Sequence, residues 1–128
     1  MLRVQEARVL LENQCFPGAY YLVGYAVECA LKACVARRTR RFDFPDRKVV
    51  NDSYTHDLEK LLSVAGLKEE LQKELGSNRA FANSWAIAKD WSEEIRYSTT
   101  VTKVDAEDLY SAVTARRNGV LTWLKKWW

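Results

Sequence analysis

A long apolar stretch, residues 17–35, most tightly constrains how this chain of 128 residues can fold. Only Glu28 and Lys32 carry a charge within it. Each such charge costs roughly 2.5–3.5 kcal/mol at the centre of a bilayer, so the stretch is a poor membrane span. A globular domain can bury it instead as its central helix. We therefore predict a buried helix over residues 18–38, with Pro17 in its first turn.

The remaining sequence also favours helices. The chain has only 5 Gly and 2 Pro, too few to punctuate the many short strands of a sandwich or barrel. The predicted helices are residues 2–14, 18–38, 56–65 capped by Thr55, 67–75 ended by Gly76, about 77–88 capped by Ser77, and a last helix opened by Asp105 that runs to Trp128. Residues 41–54 and 98–102 are predicted loops, and Gly66 is expected to end the third helix. The predicted fold is an all-α, up-and-down bundle of four to five main helices in a single domain, residues 1–128.

Composition excludes several classes of function. The net charge of +3 is too small for a dedicated nucleic-acid arm, although it permits contact with phosphates. Cys15, Cys29 and Cys34 have neither metal-site spacing nor a C-x-x-C motif, so we expect reduced core thiols, no metal and no cofactor. The charged residues near Met1 do not resemble a signal peptide, and a cytoplasmic location is expected.

Glu28 and Lys32 stand four residues apart, in the orientation that favours an ion pair on one helix face. Two interpretations remain open. If the face is buried, the pair serves packing specificity or a functional site, since an unmatched buried charge costs several kcal/mol. If the face is half exposed, the pair contributes only about 0.3–0.5 kcal/mol and needs no functional explanation.

Three segments, residues 24–33, 55–62 and 91–97, together resemble one known family. They read GYAVECALKA, THDLEKLL and WSEEIRY. Their sequence order and spacing are similar to those of the HEPN domain, the nucleotide-binding domain of higher eukaryotes and prokaryotes. The resemblance spans nearly the whole chain, although each segment alone is a weak signal.

The resemblance implies a bundle of four or five helices, commonly dimeric. Such domains are often encoded beside a small nucleotidyltransferase, or within toxin–antitoxin and antiphage defence systems. Some relatives are metal-independent ribonucleases that carry an arginine followed four to six residues later by a histidine. Arg96 corresponds best to that arginine, but residues 101–103 offer no imidazole for acid–base work.

The resemblance therefore implies a non-catalytic module that binds a nucleotide, RNA or a nucleotidyltransferase partner. A ribonuclease that uses Arg96 with an atypical partner is the alternative. His56, the only histidine, is a candidate for that partner only if the fold brings it to Arg96. A lone histidine at a helix start is more commonly a capping or surface residue.

Four residues are candidates for ligand binding: Glu28, Lys32, Arg96 and Tyr97. A guanidinium grips phosphate with two hydrogen bonds, and a neighbouring tyrosine ring can stack on a base. The competing interpretation is that Arg96 pairs with Glu28, Glu93 or another carboxylate and only orients the bundle.

A basic run contains Arg37, Arg38, Arg40 and Arg41. It is a candidate contact for an RNA backbone, but a solvated helix end, whose cations complement the helix dipole, explains it equally simply.

The C-terminal segment contains Trp123, Trp127 and Trp128. Two interpretations are open: the rings belong to the core, or together with Lys125 and Lys126 they form an aromatic patch that meets another subunit. Three such rings would form an unusual apolar patch if exposed on a monomer, so in that case we expect a homodimer or a partner contact there. A purely structural dimerisation module is the third functional alternative.

Overall fold

The computed structural model describes residues 1–41 and 47–128, with side chains for residues 1–39 and 47–128. Its helices are α1 (Leu2–Glu12), α2 (Phe16–Arg41), α3 (Arg47–Ser53), α4 (Leu58–Val64), α5 (Lys68–Ser77), α6 (Arg79–Ala88), a 3-10 helix (Glu93–Tyr97), α7 (Lys103–Thr114) and α8 (Val120–Leu124). These residues contain no strand, and five of the helices have ten or more residues. The all-α class is confirmed.

The central role of α2 is also confirmed. This helix packs against α1, α4, the 3-10 helix, α7 and α8. Its residues Val23, Val27 and Leu31 have no exposed surface, and Ala26 and Ala30 are similarly enclosed. By length and composition alone, residues 16–39 could cross a membrane. However, 56% of their most apolar stretch is buried inside the protein. That burial is typical of a core helix.

Gly24 lets a tryptophan lie directly on α2. The Trp91 ring packs over this glycine so closely that an added Cβ would overlap the indole. Trp91 is buried, and its ring lies 6.0 Å from that of Tyr21. Trp91 immediately precedes the 3-10 helix, so this contact holds that helix against the middle of α2.

The segment before α4 differs from its prediction. Residues 47–53, predicted as loop, form α3, while residues 42–46 of that predicted loop lie outside the described residues. The helix predicted from His56 begins only at Leu58, because the Asp57 carboxylate accepts a hydrogen bond from the Lys60 N–H and serves as its cap. Thr55 instead accepts from the Asp57 N–H at 3.2 Å. This shift leaves His56 outside the helix, with its ring free to turn toward α2.

Helix boundaries further along the chain follow the same logic. Gly66 ends the α4 segment with a φ of 75°, as predicted. Gly76 lies inside α5, so its predicted helix-ending role is wrong. The cap of α6 is Asn78, one residue later than predicted, because its side-chain oxygen accepts from the Phe81 N–H at 3.1 Å.

The last predicted helix is two helices. α7 opens with a capping box between Thr102 and Asp105, whose hydrogen bonds lower the pKa of the Asp105 carboxyl. α7 ends at Thr114, and Gly119 then packs on the backbone of Ala115, where a Cβ would not fit. The predicted apolar face is nonetheless confirmed across the break, since Leu109, Val113, Val120 and Leu124 have no exposed surface.

The tryptophan prediction needs correction. Trp123 is buried, with its ring 5.2 Å from that of Phe81. Only Trp127 and Trp128 are partly exposed, and the edge of Trp127 packs against Trp123 at 4.6 Å. Three exposed rings, the premise for a subunit interface there, are therefore not present.

The three cysteines are free thiols but do not form a core set. Cys15 is exposed and Cys29 is intermediate. Only Cys34 is buried, and burial raises the pKa of its thiol to about 11. The expectation of core thiols is correct only for Cys34, because Cys15 falls in the turn between α1 and α2.

Candidate functional site

Glu28 is the one buried charged residue among the described side chains, with 1% of its surface exposed. Its Oε1 atom accepts a hydrogen bond from Lys32 Nζ at 2.9 Å and lies 2.8 Å from Nδ1 of His56. The predicted Glu28–Lys32 ion pair is therefore present. Because Glu28 is buried, the interpretation that the pair serves packing specificity or a functional site is favoured. Oε2 of Glu28 is also buried and has no hydrogen-bond partner among the described residues. Such a carboxylate is costly to keep for packing alone.

His56 lies between two carboxylates. Its Nδ1 atom faces Glu28, and its Nε2 atom lies 2.6 Å from Oε2 of Glu93 on the 3-10 helix. An ionised carboxylate only accepts hydrogen bonds, and a neutral imidazole donates only one. Both contacts therefore form together only when the group of three holds one additional proton, on the imidazole or on a carboxyl. The two contacts fix the orientation of the His56 ring.

Arg96 joins the same group through Glu93. Arg96 Nη2 lies 3.2 Å from Glu93 Oε1 and donates to the Tyr97 hydroxyl at 2.6 Å. The guanidinium also stacks 4.7 Å from the centre of the Tyr97 ring. The hydrogen bond to the Tyr97 hydroxyl is the main cause that raises the pKa of Arg96 above its usual value, and the nearby Glu93 carboxylate also raises it. Arg96 thus pairs with Glu93, one of the partners anticipated, and makes no direct contact with Glu28.

These contacts form one continuous chain of alternating basic and acidic side chains, which we call the His56 network. It runs from Lys32 through Glu28, His56 and Glu93 to Arg96. The members come from α2, the segment before α4 and the 3-10 helix. Three of the four residues predicted to bind a ligand belong to it, and the fourth, Tyr97, packs on its end. His56 and Arg96 both contact Glu93, through Oε2 and Oε1 respectively.

A pocket of about 360 Å³ opens beside the network. Its walls are Thr55, His56, Asp57, Leu58, Glu59, Lys89, Trp91, Ser92, Glu93 and Glu94. Four of these are carboxylates and only Lys89 is a permanent cation, so we call it the acidic pocket. The predicted ligand residues Glu28, Lys32, Arg96 and Tyr97 are not among its walls, and they reach it only through His56 and Glu93.

Trp91 gives the pocket a second unusual feature. Its indole Nε1 is buried and has no hydrogen-bond acceptor among the described residues. A buried indole N–H normally finds an acceptor. The indole N–H of Trp91 and the unpartnered Oε2 of Glu28 both lie at one face of α2. Trp91 packs on Gly24, and Gly24 is one helical turn before Glu28.

Sequence reasoning anticipated the pairing of Arg96 with Glu93, whose three-residue spacing permits an ion pair. It missed Trp91 and the contact of Glu93 with His56. The contact between His56 and Glu28 joins residues 28 positions apart and leaves no trace in local periodicity. Among the described residues, no group of three or more His, Cys, Asp or Glu side chains is placed to hold a metal ion.

The basic run divides between two contacts. Arg38 donates to the Val64 carbonyl at 3.2 Å and lies against Gly66, so it stabilises the end of α4. Arg37 donates to the Trp128 carbonyl at 3.0 Å. Both side chains remain exposed, whereas those of Arg40 and Arg41 lie outside the described residues.

One comparison with known proteins gives a match. A family model described as HEPN domain matches residues 2–127. No curated protein and no solved structure matches the chain. The matched range includes the whole His56 network and every wall of the acidic pocket.

Proposed function

The chain belongs to the HEPN domain family, and we propose that it is a binding module for a nucleotide, free or at the end of an RNA chain, held at the acidic pocket. The module is proposed to act without the usual arginine–histidine ribonuclease site, because no histidine follows Arg96. Family membership supports a nucleotide-related role, and the geometry of the His56 network supports this location.

The single observation that carries the proposal is the burial of Glu28 beneath His56. A carboxylate with 1% exposure and an unpartnered oxygen lowers stability relative to an apolar residue of similar size. Lys32 and His56 have 39% and 52% of their side chains exposed and would be hydrated without it. Ionisable groups arranged at such a cost in a cleft are typical of functional sites.

The chemistry of the pocket fits the polar parts of a nucleotide. Carboxylates at its walls accept hydrogen bonds from ribose hydroxyls and base amino groups. Lys89 lies at the wall, and Arg96 at the end of the network supplies a guanidinium for phosphate. Tyr97 is 75% exposed beside Arg96, so one face of its ring is available to a base. A volume of about 360 Å³ is within the range of small-molecule sites.

Calorimetric titration with ATP and AMP tests the proposal. We expect binding by the parent chain and loss of the signal in His56→Ala and Arg96→Ala. Arg79→Ala is the matched control, since Arg79 is exposed on α6, outside the network. Unchanged binding in both network variants, or none in the parent, would contradict the proposed site.

A second candidate function is metal-independent cleavage of RNA. The observation that favours it is that the Glu93 carboxylate contacts both His56, the only histidine, and Arg96. In such a reaction His56 Nε2, once released by Glu93, takes the proton of a ribose 2′-hydroxyl. The 2′-oxygen then bonds to phosphorus, the 5′-oxygen leaves with a proton from the medium, and Arg96 stabilises the phosphoryl charge.

Gel analysis of transfer or messenger RNA separates the two functions. Cleavage by the parent that is lost in both Arg96→Ala and His56→Ala would establish the ribonuclease and overturn the non-catalytic proposal. Intact RNA alongside measurable nucleotide binding would exclude it.

The expected partners and location remain proposals. A homodimer and a nucleotidyltransferase or defence-system partner are what the family resemblance implies, and free cysteines are compatible with the proposed cytoplasmic location. Light scattering on the purified chain tests self-association directly, and a monomer at tens of micromolar would remove the dimerisation alternative.

A further inference from the structure

A second surface, far along the chain from the acidic pocket, has the opposite charge. Residues 33–39 at the end of α2 and residues 109–128 of α7, α8 and the C-terminal turn contain six basic and no acidic residues. The rest of the chain contains 14 basic and all 17 acidic residues. The two segments are packed together in the fold, because α2 contacts both α7 and α8. The modest net charge of +3 therefore conceals a strong asymmetry.

Specific contacts join the two segments. Cys34 lies 3.8 Å from the Leu124 carbonyl in the core, and above it Arg37 donates to the Trp128 carbonyl at 3.0 Å. The second contact brings the cation of Arg37 to the backbone of Trp128, and the rings of Trp127 and Trp128 are both partly exposed. We call Arg37, Lys125, Lys126, Trp127 and Trp128 the tryptophan surface.

Each lysine of the tryptophan surface lies near one of its two rings. Lys125 Nζ lies 6.0 Å from the centre of the Trp128 ring, and Lys126 Nζ lies 5.8 Å from that of Trp127. Both lysines are exposed. Within the part of the chain that the structure describes, the ion pairs involve neither lysine nor Arg37. Among the described residues, the two lysines thus have no carboxylate partner, unlike the cations of the His56 network.

The Trp127 ring is also held in place. It packs against buried Trp123 in an edge-to-face arrangement, and Trp123 in turn packs on Phe81, so the Trp127 ring rests on the core. A fixed ring loses little conformational entropy when a flat group stacks on it. Aromatic rings next to cations can bind a single strand, because the rings stack on its bases while the cations contact its phosphates.

We propose that the tryptophan surface binds single-stranded nucleic acid, with Arg37, Lys125 and Lys126 on phosphates and Trp127 and Trp128 against bases. The observation behind it is the acid-free charge and the fixed rings that the packing of α2 on α8 brings together. The surface is separate from the acidic pocket, and the proposal does not depend on nucleotide binding there.

Fluorescence anisotropy of a labelled oligouridylate of about 12 nucleotides tests the proposal on the full chain. Because three cations displace counterions from a single strand, we expect log Kd to rise with log salt concentration with a slope of about 2. Raising salt from about 50 to 200 mM would then weaken binding about 20-fold. Lys125→Glu/Lys126→Glu should raise Kd at least about ten-fold and flatten the salt slope. Lys68→Glu/Lys73→Glu on α5 makes the same change in net charge and should leave Kd within about two-fold.

The rings are tested separately from the charges. Trp128→Leu keeps apolar bulk but removes stacking and should raise Kd about five-fold or more, whereas Trp128→Phe should restore most of the affinity. His56→Ala should leave oligouridylate binding unchanged, so failure of the pocket and failure of this surface are distinguishable.

Three outcomes would overturn the proposal: equal Kd in the two charge-reversal variants, binding to vesicles of phosphatidylserine and phosphatidylcholine but not to oligouridylate, or a homodimer that Trp128→Leu dissociates and that excludes the oligonucleotide.

Discussion

The acidic pocket and the tryptophan surface use charge in opposite ways. At the pocket, every charge of the His56 network is engaged by a neighbour within 3.2 Å, from Lys32 through Glu28 to Arg96. At the tryptophan surface, the lysines stand beside rings about 6 Å away and form no described ion pair. Charges that neutralise each other fix geometry and have a short-range field, whereas unpaired charges act over a Debye length of about 10 Å at moderate salt.

This difference predicts which kind of ligand each of the two regions binds. A preformed, neutralised network recognises a small ligand by the directions of its hydrogen bonds, and salt should affect it little. A surface of unpaired cations attracts a polyanion and should be strongly salt-dependent. α2 supports both regions, because Glu28 lies in its middle and Arg37 near its end.

We expect the largest effect when the cation of the buried Glu28–Lys32 pair is removed. Lys32→Met leaves the buried Glu28 carboxylate with only His56, so we expect a loss of about 3 kcal/mol in the free energy of unfolding. Glu28→Met removes the buried charge itself and should be neutral or stabilising, because Lys32 and His56 are both partly hydrated. Urea denaturation at neutral pH measures both.

The control is the same change at the tryptophan surface, where Lys125→Met should alter stability by less than about 0.5 kcal/mol. The double variant Glu28→Met/Lys32→Met should regain most of the lost stability. A Lys32→Met protein as stable as its parent would show that Glu28 is not charged in the fold.

We expect the next largest change in stability from a substitution at the contact of Trp91 with α2. Gly24→Ala places a methyl group within the indole ring and should destabilise the chain by about 2 kcal/mol, while weakening any ligand at the acidic pocket that Trp91 lines. Gly76→Ala is the matched control: an added Cβ meets nothing within 4 Å in α5, so it should stabilise by about 0.5–1 kcal/mol. Thermal unfolding of the pair checks the opposite signs, and destabilisation of similar size in both would contradict this account.

The smallest effect concerns the thiol beneath the tryptophan surface. The folded pKa of Cys34 is raised from 9.0 to about 11, so the thiolate forms more readily in the unfolded chain. The stability from keeping the thiol protonated is full below pH 9.0 and is lost as pH rises toward about 11. Between about pH 8 and 10 the parent should lose about 1 kcal/mol that Cys34→Ala does not lose.

Alkylation gives an independent measure of the same burial. Exposed Cys15 should react with iodoacetamide in the folded protein while Cys34 reacts only on unfolding. Equal reaction rates at the two thiols would refute the burial of Cys34, and a parallel pH dependence in Cys34→Ala would assign the alkaline loss to other groups.

Much of the scaffold was predictable because it rests on local signals. The apolar stretch with only two charges predicted α2, and the four-residue spacing predicted the Glu28–Lys32 pair. Errors fell at boundaries where a neighbouring polar side chain made a better cap, as with Asp57 in place of Thr55 and Asn78 in place of Ser77. The break between α7 and α8 was missed because the apolar spacing continues across it.

The sequence by itself determined the helical class, the central helix and the family, since apolar periodicity and short motifs are properties of neighbouring residues. Tertiary structure alone decided that His56 meets Glu28 and Glu93, and that Arg37 meets Trp128. These pairs are separated by 28 to 91 positions, and their contacts depend on how helices pack rather than on spacing within one helix. A single imidazole could therefore be found in the sequence, but its two carboxylate partners could be assigned only in the fold.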